Sequence, residues 1–238
     1  MNHGSSNNPD DTEDGCSDAL VAAIRAAKGF IFDMDGTILD SQEAHYRSWD
    51  RATRDHGFPH DRGEIFAEFG KTTEAITIAL CPGAGTRDVA SISRLKESLF
   101  FEDIPSLVLF GGITVLFATI KERGKRICIA SSNDNRTIDA IIHHVKLHEV
   151  IDGFTGLDDI TRGKPDPEMI VTSAAKLHLA PGDCVVVGDT PYDIMAGNAA
   201  GCFTIGVLTG TFSRDQLVTA GAGAVLPTAA GLLSLVKA

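Results

Sequence analysis

A short apolar segment, residues 29–32, ends directly in two aspartates, Asp33 and Asp35, and then in Gly36 and Thr37. An apolar run of this length, bounded by turn residues, is typical of a buried strand. The glycine lets the backbone turn sharply after the strand, so both carboxylates can converge on one point. Converging carboxylates repel each other unless a cation lies between them. Hard cations with oxygen ligands, Mg²⁺ first, suit such a position, and the segment therefore predicts a metal site.

Two later apolar runs also end in residues suited to a phosphate site. One run leads into Ser131 and Ser132, whose hydroxyls and following backbone N–H groups can hold phosphate oxygens without adding charge. The other leads into a Gly-Asp pair at Asp189, with Asp193 four residues later. Simpler interpretations remain open, because a serine often forms a turn and Asp189 also suits a helix N-cap.

Lys164 lies in the segment Gly-Lys-Pro-Asp-Pro, in which prolines fix the backbone on both sides of Asp166. The acid pair, the Ser131 run, the Lys164 segment and the Gly-Asp run occur in an order that resembles the four motifs of the haloacid dehalogenase superfamily. The resemblance spans roughly residues 29–209 and is to the branch of the family with an early-inserted cap domain. Ser131 corresponds to the Ser or Thr of the second motif.

The resemblance implies a role for each of these residues. Asp33 would attack phosphorus as a nucleophile, and Asp35 would serve as general acid and base. A carboxylate nucleophile divides one difficult hydrolysis into the formation and the cleavage of an acyl-phosphate. Lys164 would neutralise Asp33 and the phosphoryl group in the transition state, and would bind phosphate with the serines. Mg²⁺ would be held by Asp33, the carbonyl of Asp35 and Asp189, with Asp193 close to the site or to Lys164.

The implied fold is α/β, a Rossmann-like parallel-sheet core with all motifs at the carboxyl ends of strands, plus an inserted helical cap. The apolar runs predict a helix over 18–28 and strands at 29–32, 126–131, 151–156, 184–188, 202–208 and 224–226, alternating with helices. We expect a disordered polar tail over 1–17, a core of residues 18–40 and 110–238, and a small α-helical cap over 41–109, where no strand pattern is convincing.

Three cap residues are candidates for substrate specificity. Lys71 and Thr72 lie in the loop where similar enzymes sense the non-phosphate part of the substrate. Lys71 is predicted to pair with an anionic group, such as the carboxylate of phosphoglycolate, whereas the hydroxyls of Thr72 and Thr73 suit a sugar phosphate. His45, on the first cap helix, is predicted either to join a proton relay or to be a structural residue.

The type of reaction follows from residues at motif positions. Asp35 favours phosphoryl transfer over dehalogenation, because a leaving halide needs no proton. Phosphonate-cleaving relatives need a cap lysine in apolar surroundings, and neither Lys71 nor Lys96 is predicted to have them. Mutases similar to β-phosphoglucomutase carry an Arg and a Lys where this chain has Thr73 and Asp134. The sequence therefore favours a phosphatase, with a mutase, a phosphonate hydrolase and a non-catalytic binding protein as alternatives.

Composition limits the partners. A formal net charge of −11 argues against nucleic acid, because phosphate backbones attract Lys and Arg. No apolar run approaches a membrane span, and no signal peptide is recognisable before the first strand. The five cysteines show no CxxC spacing, and Cys128 and Cys184 lie in predicted buried strands. We therefore expect a cytoplasmic enzyme, monomeric or homodimeric, that acts on a small phosphorylated metabolite with Mg²⁺.

Overall fold

The computed structural model describes residues 13–238. The first helix, α1 (Glu13–Ala26), begins inside the segment predicted as tail, so the predicted helix start at residue 18 was too late. Residues 1–12, which make up the rest of that predicted tail, lie outside the described residues. A polar composition alone did not distinguish a helical start from a tail, because acidic residues are common in both.

A parallel six-stranded sheet forms the centre of the fold and confirms the predicted α/β class. The strands are β1 (Gly29–Phe32), β4 (Arg126–Ala130), β5 (Gly153–Thr155), β6 (Cys184–Gly188), β7 (Phe203–Val207) and β8 (Ala224–Leu226). Their order in the sheet is β5-β4-β1-β6-β7-β8. All six lie within or at the predicted runs. Parallel strands need crossover connections, and helices supply them between successive strands of the sheet.

Helices cover both faces of this sheet and bury its side chains. Phe30 and Phe32 of β1 join one apolar cluster, whereas Ile31 between them joins another, as alternation along a strand requires. Cys128 and Cys184 are buried and unpaired, as predicted. The covering helices are α6 (Ile113–Glu122), α7 (Asn135–His144), α8 (Glu168–Lys176), α9 (Pro191–Ala199), α10 (Arg214–Thr219) and α11 (Leu232–Lys237).

Four α-helices lie between residues 41 and 107 of the chain and are called here the cap helices. They are α2 (Gln42–Asp55), α3 (Arg62–Ala67), α4 (Thr73–Leu80) and α5 (Thr86–Asp103). They bury an apolar cluster of their own, which includes Trp49, Ile65, Ile76 and Ile92. Across residues 13–238, none of the helices combines the length and the apolar character needed to cross a membrane.

A short antiparallel ribbon joins the two ends of the cap-helix segment. β2 (Leu39–Asp40) pairs with β3 (Val108–Leu109), with Leu39 opposite Leu109 and Asp40 opposite Val108. β3 lies inside the segment 41–109, where no strand was predicted, so that expectation was wrong at its carboxyl end. Two residues are too few to show an alternating pattern. The ribbon holds the outgoing and returning chains side by side at the base of the cap helices.

Candidate active site

The carboxyl ends of three neighbouring strands bring the motif residues together. β1 lies between β4 and β6, so Asp33, Ser131 and Asp189 follow adjacent strands at one edge of the sheet. Chain connections diverge on either side of β1, and open α/β sheets bind ligands at such a switch point. A cleft of about 720 Å³ lies there, with walls from both the strand ends and the cap helices. Its lining includes Asp33, Asp35, His45, Lys71, Lys96, Asn133, Lys164 and Asp189.

Lys164 connects two of the acids. Its Nζ donates to Asp33 Oδ1 at 2.6 Å and to the carbonyl of Ala130 at 2.8 Å, and lies 2.6 Å from Asp193 Oδ1. Only 3% of the Lys164 side chain is exposed. Burial alone would lower the pKa of Lys164, but the charges of Asp193 and Asp33 outweigh it and raise the pKa. The ammonium is therefore held charged against the predicted nucleophile.

Within the described residues, three carboxylates form a candidate metal cluster. Oxygens of Asp33, Asp189 and Asp193 all lie within 4.8 Å of one another. Burial raises the pKa of Asp33 to about 7 even though Lys164 opposes it. Burial, and then the charge of Asp33, also raise the pKa of Asp189. A divalent cation with oxygen ligands fits this cluster, because it relieves both the desolvation and the repulsion of the carboxylates.

Asp189 is held by close backbone packing that the motif analysis missed. Thr37 Oγ1 donates to Asp189 Oδ1 at 2.9 Å. A Cβ atom at Gly210 would lie 1.8 Å from Asp189 Oδ2, and one at Gly36 would lie 2.5 Å from it. Gly36 also has φ +78°, which disfavours any other residue. The loop around Gly210 follows β7, and its glycine gave no signal because isolated glycines are common in loops.

Asp35 has a separate set of partners from the acidic cluster. Its carboxylate accepts from Ser41 Oγ at 2.6 Å and from Asn133 Nδ2 at 2.7 Å, and His45 Nε2 lies 3.1 Å away. Burial acts to raise the pKa of Asp35, but the charge of His45 and hydrogen bonds from His45 and Ser41 bring it down to about 2. The His45 ring stacks on Phe100 at 3.9 Å between centroids. Burial, and then the charge of Lys96, lower the pKa of His45, so the histidine acts here as a hydrogen-bonding partner that orients Asp35.

The two predicted phosphate-binding serines differ in position. Ser132 lines the cleft, as does Asn133. Ser131 is buried, is not among the lining residues, and its Oγ accepts from the Asn133 backbone N–H at 3.2 Å and from Asn133 Nδ2 at 3.1 Å. Ser131 therefore orients Asn133, which in turn contacts Asp35. The role of Asn133 was missed in the sequence because an amide after Ser-Ser reads as an ordinary turn residue.

The predicted specificity loop borders the cleft, but its two named residues are engaged elsewhere. Lys71 lines the cleft and its ammonium contacts the carboxylate of Glu68. Thr72 caps α4 by accepting from the Ala75 backbone N–H at 3.3 Å and is not among the lining residues, whereas Thr73 is. Any substrate anion at Lys71 must therefore compete with Glu68.

The structure contradicts the expectation that Lys96 lacks apolar surroundings. Its relative exposure is 4%, and its Nζ lies 5.5 Å from the Trp49 ring and 4.9 Å from the Phe100 ring. Burial lowers the pKa of Lys96 to about 8. The surroundings are apolar because one face of α5 packs against α2. The spacing of Ile92, Lys96 and Phe100, four residues apart along one helix face, was the signal that should have found it.

Comparison with known proteins now settles the family. The sequence model of haloacid dehalogenase-like hydrolases matches residues 30–207, a span that contains every motif residue of the cleft. The chain belongs to this family. The resemblance of the four motifs is thereby confirmed.

Relatives of this haloacid dehalogenase-like hydrolase include curated enzymes and solved structures. Hexitol phosphatase A of Escherichia coli is 29% identical over 180 residues, covering 76% of this chain and 82% of that protein. The β-phosphoglucomutase of Bacillus subtilis is 30% identical over 192 residues, covering 76% and 83%. A hydrolase structure from Pseudomonas syringae superposes with a TM-score of 0.81 at 24% identity, covering 89% of this chain and 98% of that one, and shows the shared fold.

Proposed function

We propose that this haloacid dehalogenase-like hydrolase is a Mg²⁺-dependent phosphatase that hydrolyses a small phosphate monoester through an aspartyl-phosphate intermediate. The observation that supports the proposal is that Asp33 and Asp35 have separate sets of partners. Asp33 shares Lys164 with Asp193 beside Asp189, whereas Asp35 is hydrogen-bonded separately to Ser41, His45 and Asn133.

In the first step, a carboxylate oxygen of Asp33 forms a bond to phosphorus while the bond from phosphorus to the leaving oxygen breaks. Lys164 neutralises the negative charge that Asp33 and the phosphoryl group share. Asp35, in its protonated form, donates its proton to the leaving oxygen, while Ser41 and His45 hold the carboxyl group in place. In the second step, Asp35 takes a proton from the water that cleaves the acyl-phosphate and regenerates Asp33.

The side chains of Asp33 and Asp189, with the carbonyl of Asp35, would hold Mg²⁺. When bound, the ion neutralises phosphate charge as a Lewis acid. Asp193 belongs to the same acidic cluster, but its Oδ1 is paired with Lys164 and its Oδ2 accepts from Thr190 Oγ1 at 2.6 Å. We therefore assign Asp193 the task of orienting Lys164.

We propose a sugar phosphate or phosphoglycolate as the substrate. The Escherichia coli relative is named a hexitol phosphatase, and the cleft contains serine, threonine and asparagine side chains that suit hydroxyl groups. We further propose a cytoplasmic monomer or homodimer. The four cysteines whose side chains the structure describes are buried and unpaired, which is compatible with a reducing compartment.

A second candidate is the cleavage of a carbonyl-bearing phosphonate, which the environment of Lys96 favours. An amine whose pKa is lowered to about 8 attacks carbonyl carbons near neutral pH more readily than an ordinary lysine. Borohydride should then inactivate the enzyme in the presence of phosphonoacetaldehyde, through reduction of an imine at Lys96. Full activity after that treatment removes this candidate.

A panel of phosphate monoesters with Mg²⁺, scored by kcat/KM, tests the main proposal. The panel should include phosphoglycolate, hexitol and hexose phosphates, and β-glucose 1-phosphate with analysis of its products. Free phosphate release supports a phosphatase, whereas glucose 6-phosphate formation from β-glucose 1-phosphate supports a mutase. The Asp33→Asn variant is the control that ties any release to this site.

A further inference from the structure

A side chamber of about 370 Å³ adjoins the cleft between α5 and the start of α7. The residues that line both spaces are Thr73, Lys96, Ser132 and Asn133. The chamber alone is lined by Glu97 and Asp134 among others. The cleft that contains the motif acids therefore shares a wall with a second space, which none of those acids lines.

The position of Asp35 directs the leaving group toward this chamber. The leaving oxygen must lie at Asp35, because that carboxyl protonates it in the proposed reaction. Asn133 donates to Asp35 Oδ2 at 2.7 Å and lines the chamber as well. An alcohol that extends from Asp35 past Asn133 enters the chamber, so this step rests on the proposed phosphatase chemistry.

Negative charges outnumber positive charges around the chamber. Among the described residues, Lys96 makes no hydrogen bond or ion pair, although it is 4% exposed and lines both spaces. Its neighbouring charges are Asp35, Glu97 and Asp134, as well as His45. One ammonium thus faces three carboxylates, and the other cap lysine of the cleft is already paired with an acid.

The two carboxylates of the chamber have different neighbours. Asp134 caps α7, accepting from the Thr137 backbone N–H at 2.7 Å and from Thr137 Oγ1 at 3.0 Å, and is thereby fixed. Burial raises the pKa of Glu97, while Lys96 and the Thr73 side chain oppose that rise. Both carboxylates line the chamber, so an anion there meets both of them.

We infer that this chamber is the subsite for the leaving alcohol, and that Glu97 and Asp134 select an uncharged polyhydroxyl group over one that carries a carboxylate or a second phosphate. Among the described residues that line the chamber, Lys96 is the single cation that opposes these two acids. Lys96 is left to donate to hydroxyl oxygens, the two carboxylates accept from hydroxyl groups, and the Thr73 hydroxyl can do either. Phosphoglycolate is thereby a poor substrate, and sugar or polyol monophosphates are good ones.

Glucitol 6-phosphate and 6-phosphogluconate test this inference, because they differ only in whether carbon 1 is a hydroxymethyl or a carboxylate group. We expect wild-type kcat/KM to favour glucitol 6-phosphate by about tenfold or more. The double variant Glu97→Gln, Asp134→Asn should narrow that ratio by about fivefold or more, since it removes repulsion while Asn still caps α7. Lys96→Met should widen the ratio, because it removes the cation that offsets the two acids.

Glu74→Gln is the matched control, because it removes one cap carboxylate from a groove lined by Ile78 and Val89, away from the cleft. It should leave the ratio unchanged. A wild-type preference for 6-phosphogluconate, or an unchanged ratio in the double variant, would overturn the inference.

Binding separates this inference from the proposed function. Titration calorimetry of the Asp33→Asn variant with both ligands measures the same preference without turnover, and p-nitrophenyl phosphate hydrolysis by the wild type measures phosphatase activity alone. Preferential binding of glucitol 6-phosphate by an enzyme without phosphatase activity would support the chamber and refute the function. Phosphatase activity with no binding preference would do the reverse.

Discussion

Lys164 Nζ lies 2.6 Å from Asp33 Oδ1, with 3% of the lysine side chain and 13% of the aspartate side chain exposed. Lys164 therefore neutralises the negative charge of Asp33, the proposed nucleophile, before a substrate binds. Removing Lys164 leaves Asp33 and Asp193 buried without their cation, which costs far more than the loss of a surface ion pair, whereas removing Asp33 leaves Lys164 paired with Asp193.

Asp33→Asn should abolish turnover without unfolding the protein. The amide is nearly isosteric but cannot attack phosphorus, so kcat should fall by roughly a thousandfold or more. Lys164 retains Asp193 as a partner, and the variant should therefore melt within a few degrees of the wild type. Steady-state kinetics and circular dichroism measure the two effects. Residual activity within about tenfold of wild type would refute the nucleophile assignment.

Lys164→Ala and Lys71→Ala should change different kinetic constants, kcat in the first variant and KM in the second. Lys164 faces the transferred phosphoryl group, so its loss should lower kcat for every substrate and destabilise the fold by about 3–5 kcal/mol, since two buried acids lose their cation. Lys71 belongs to the cap segment and is paired with Glu68, so its loss should change mainly KM. Glu68→Gln is the matched control, since it frees Lys71. Loss of kcat in the Lys71 variant would contradict the assignment.

Asp35→Asn should slow esters with poor leaving groups more than esters with good ones. An alkoxide needs a proton on departure, whereas p-nitrophenolate does not. We expect the ratio of kcat/KM for p-nitrophenyl phosphate to that for an alkyl phosphate to rise by about tenfold or more. Asn has the size of Asp and still offers an oxygen that accepts from Ser41. The ratio of the two kcat/KM values, and not either value alone, therefore reports the loss of the acid. Equal losses for both esters would argue against Asp35 as the acid.

Mg²⁺ should stabilise the folded protein through the acidic cluster, and this effect is measurable without substrate. Any ion that binds only the native state raises the free energy of unfolding, by about 2.7 kcal/mol at a hundred times Kd. Differential scanning fluorimetry should show a rise in Tm of several degrees in the wild type. Asp189→Asn should abolish the rise and should itself be more stable without metal, because it relieves the repulsion that raises the pKa of Asp189. An equal Mg²⁺ effect in both proteins would place the ion elsewhere.

Lys96→Met should stabilise the protein at neutral pH. Burial lowers the pKa of Lys96 from 10.5 to about 8, which corresponds to a cost on the order of 3 kcal/mol for keeping it charged. The unfolded state binds more protons between these pKa values, so this cost is full below pH 8 and disappears as pH rises through 10.5. Asp35, Glu97 and Asp134 favour the charged form, whereas His45 opposes it.

Chemical denaturation of the wild type and the Met variant at pH 7 and near pH 10 measures this difference. The gap in the free energy of unfolding between the two proteins should shrink at the higher pH. A gap that stays constant would mean that the lysine is charged at no cost.

The parts of the site that lie at strand ends were predictable from the sequence. Asp33, Asp189 and their neighbours follow apolar runs directly, so local pattern and parallel-sheet geometry together bring them to one edge. Lys164 was found only through its motif, because no local rule places a lysine against an aspartate 131 positions away. The same limit explains why Asn133 and Ser41 were missed, since their bonds to Asp35 are tertiary.

Other differences have local causes. β2 and β3 are each two residues long, and a two-residue strand has no period to detect. The apolar surroundings of Lys96 were predictable from its place between Ile92 and Phe100 on one face of α5. The prediction instead followed from its charge, and was therefore wrong. Thr72 was assigned to substrate when its hydroxyl was needed at a helix N-cap, a common competing use of threonine.

The β2–β3 ribbon has a consequence for how this chain could be altered. Because Asp40 pairs with Val108, the chain leaves and re-enters the core at nearly the same point. The segment between those two residues is therefore a loop whose ends are already paired. The entropic cost of closing such a loop grows only slowly with its length. A different insert could therefore be grafted onto the same two residues to change substrate choice, provided that it again supplies partners for Asp35 in place of Ser41 and His45.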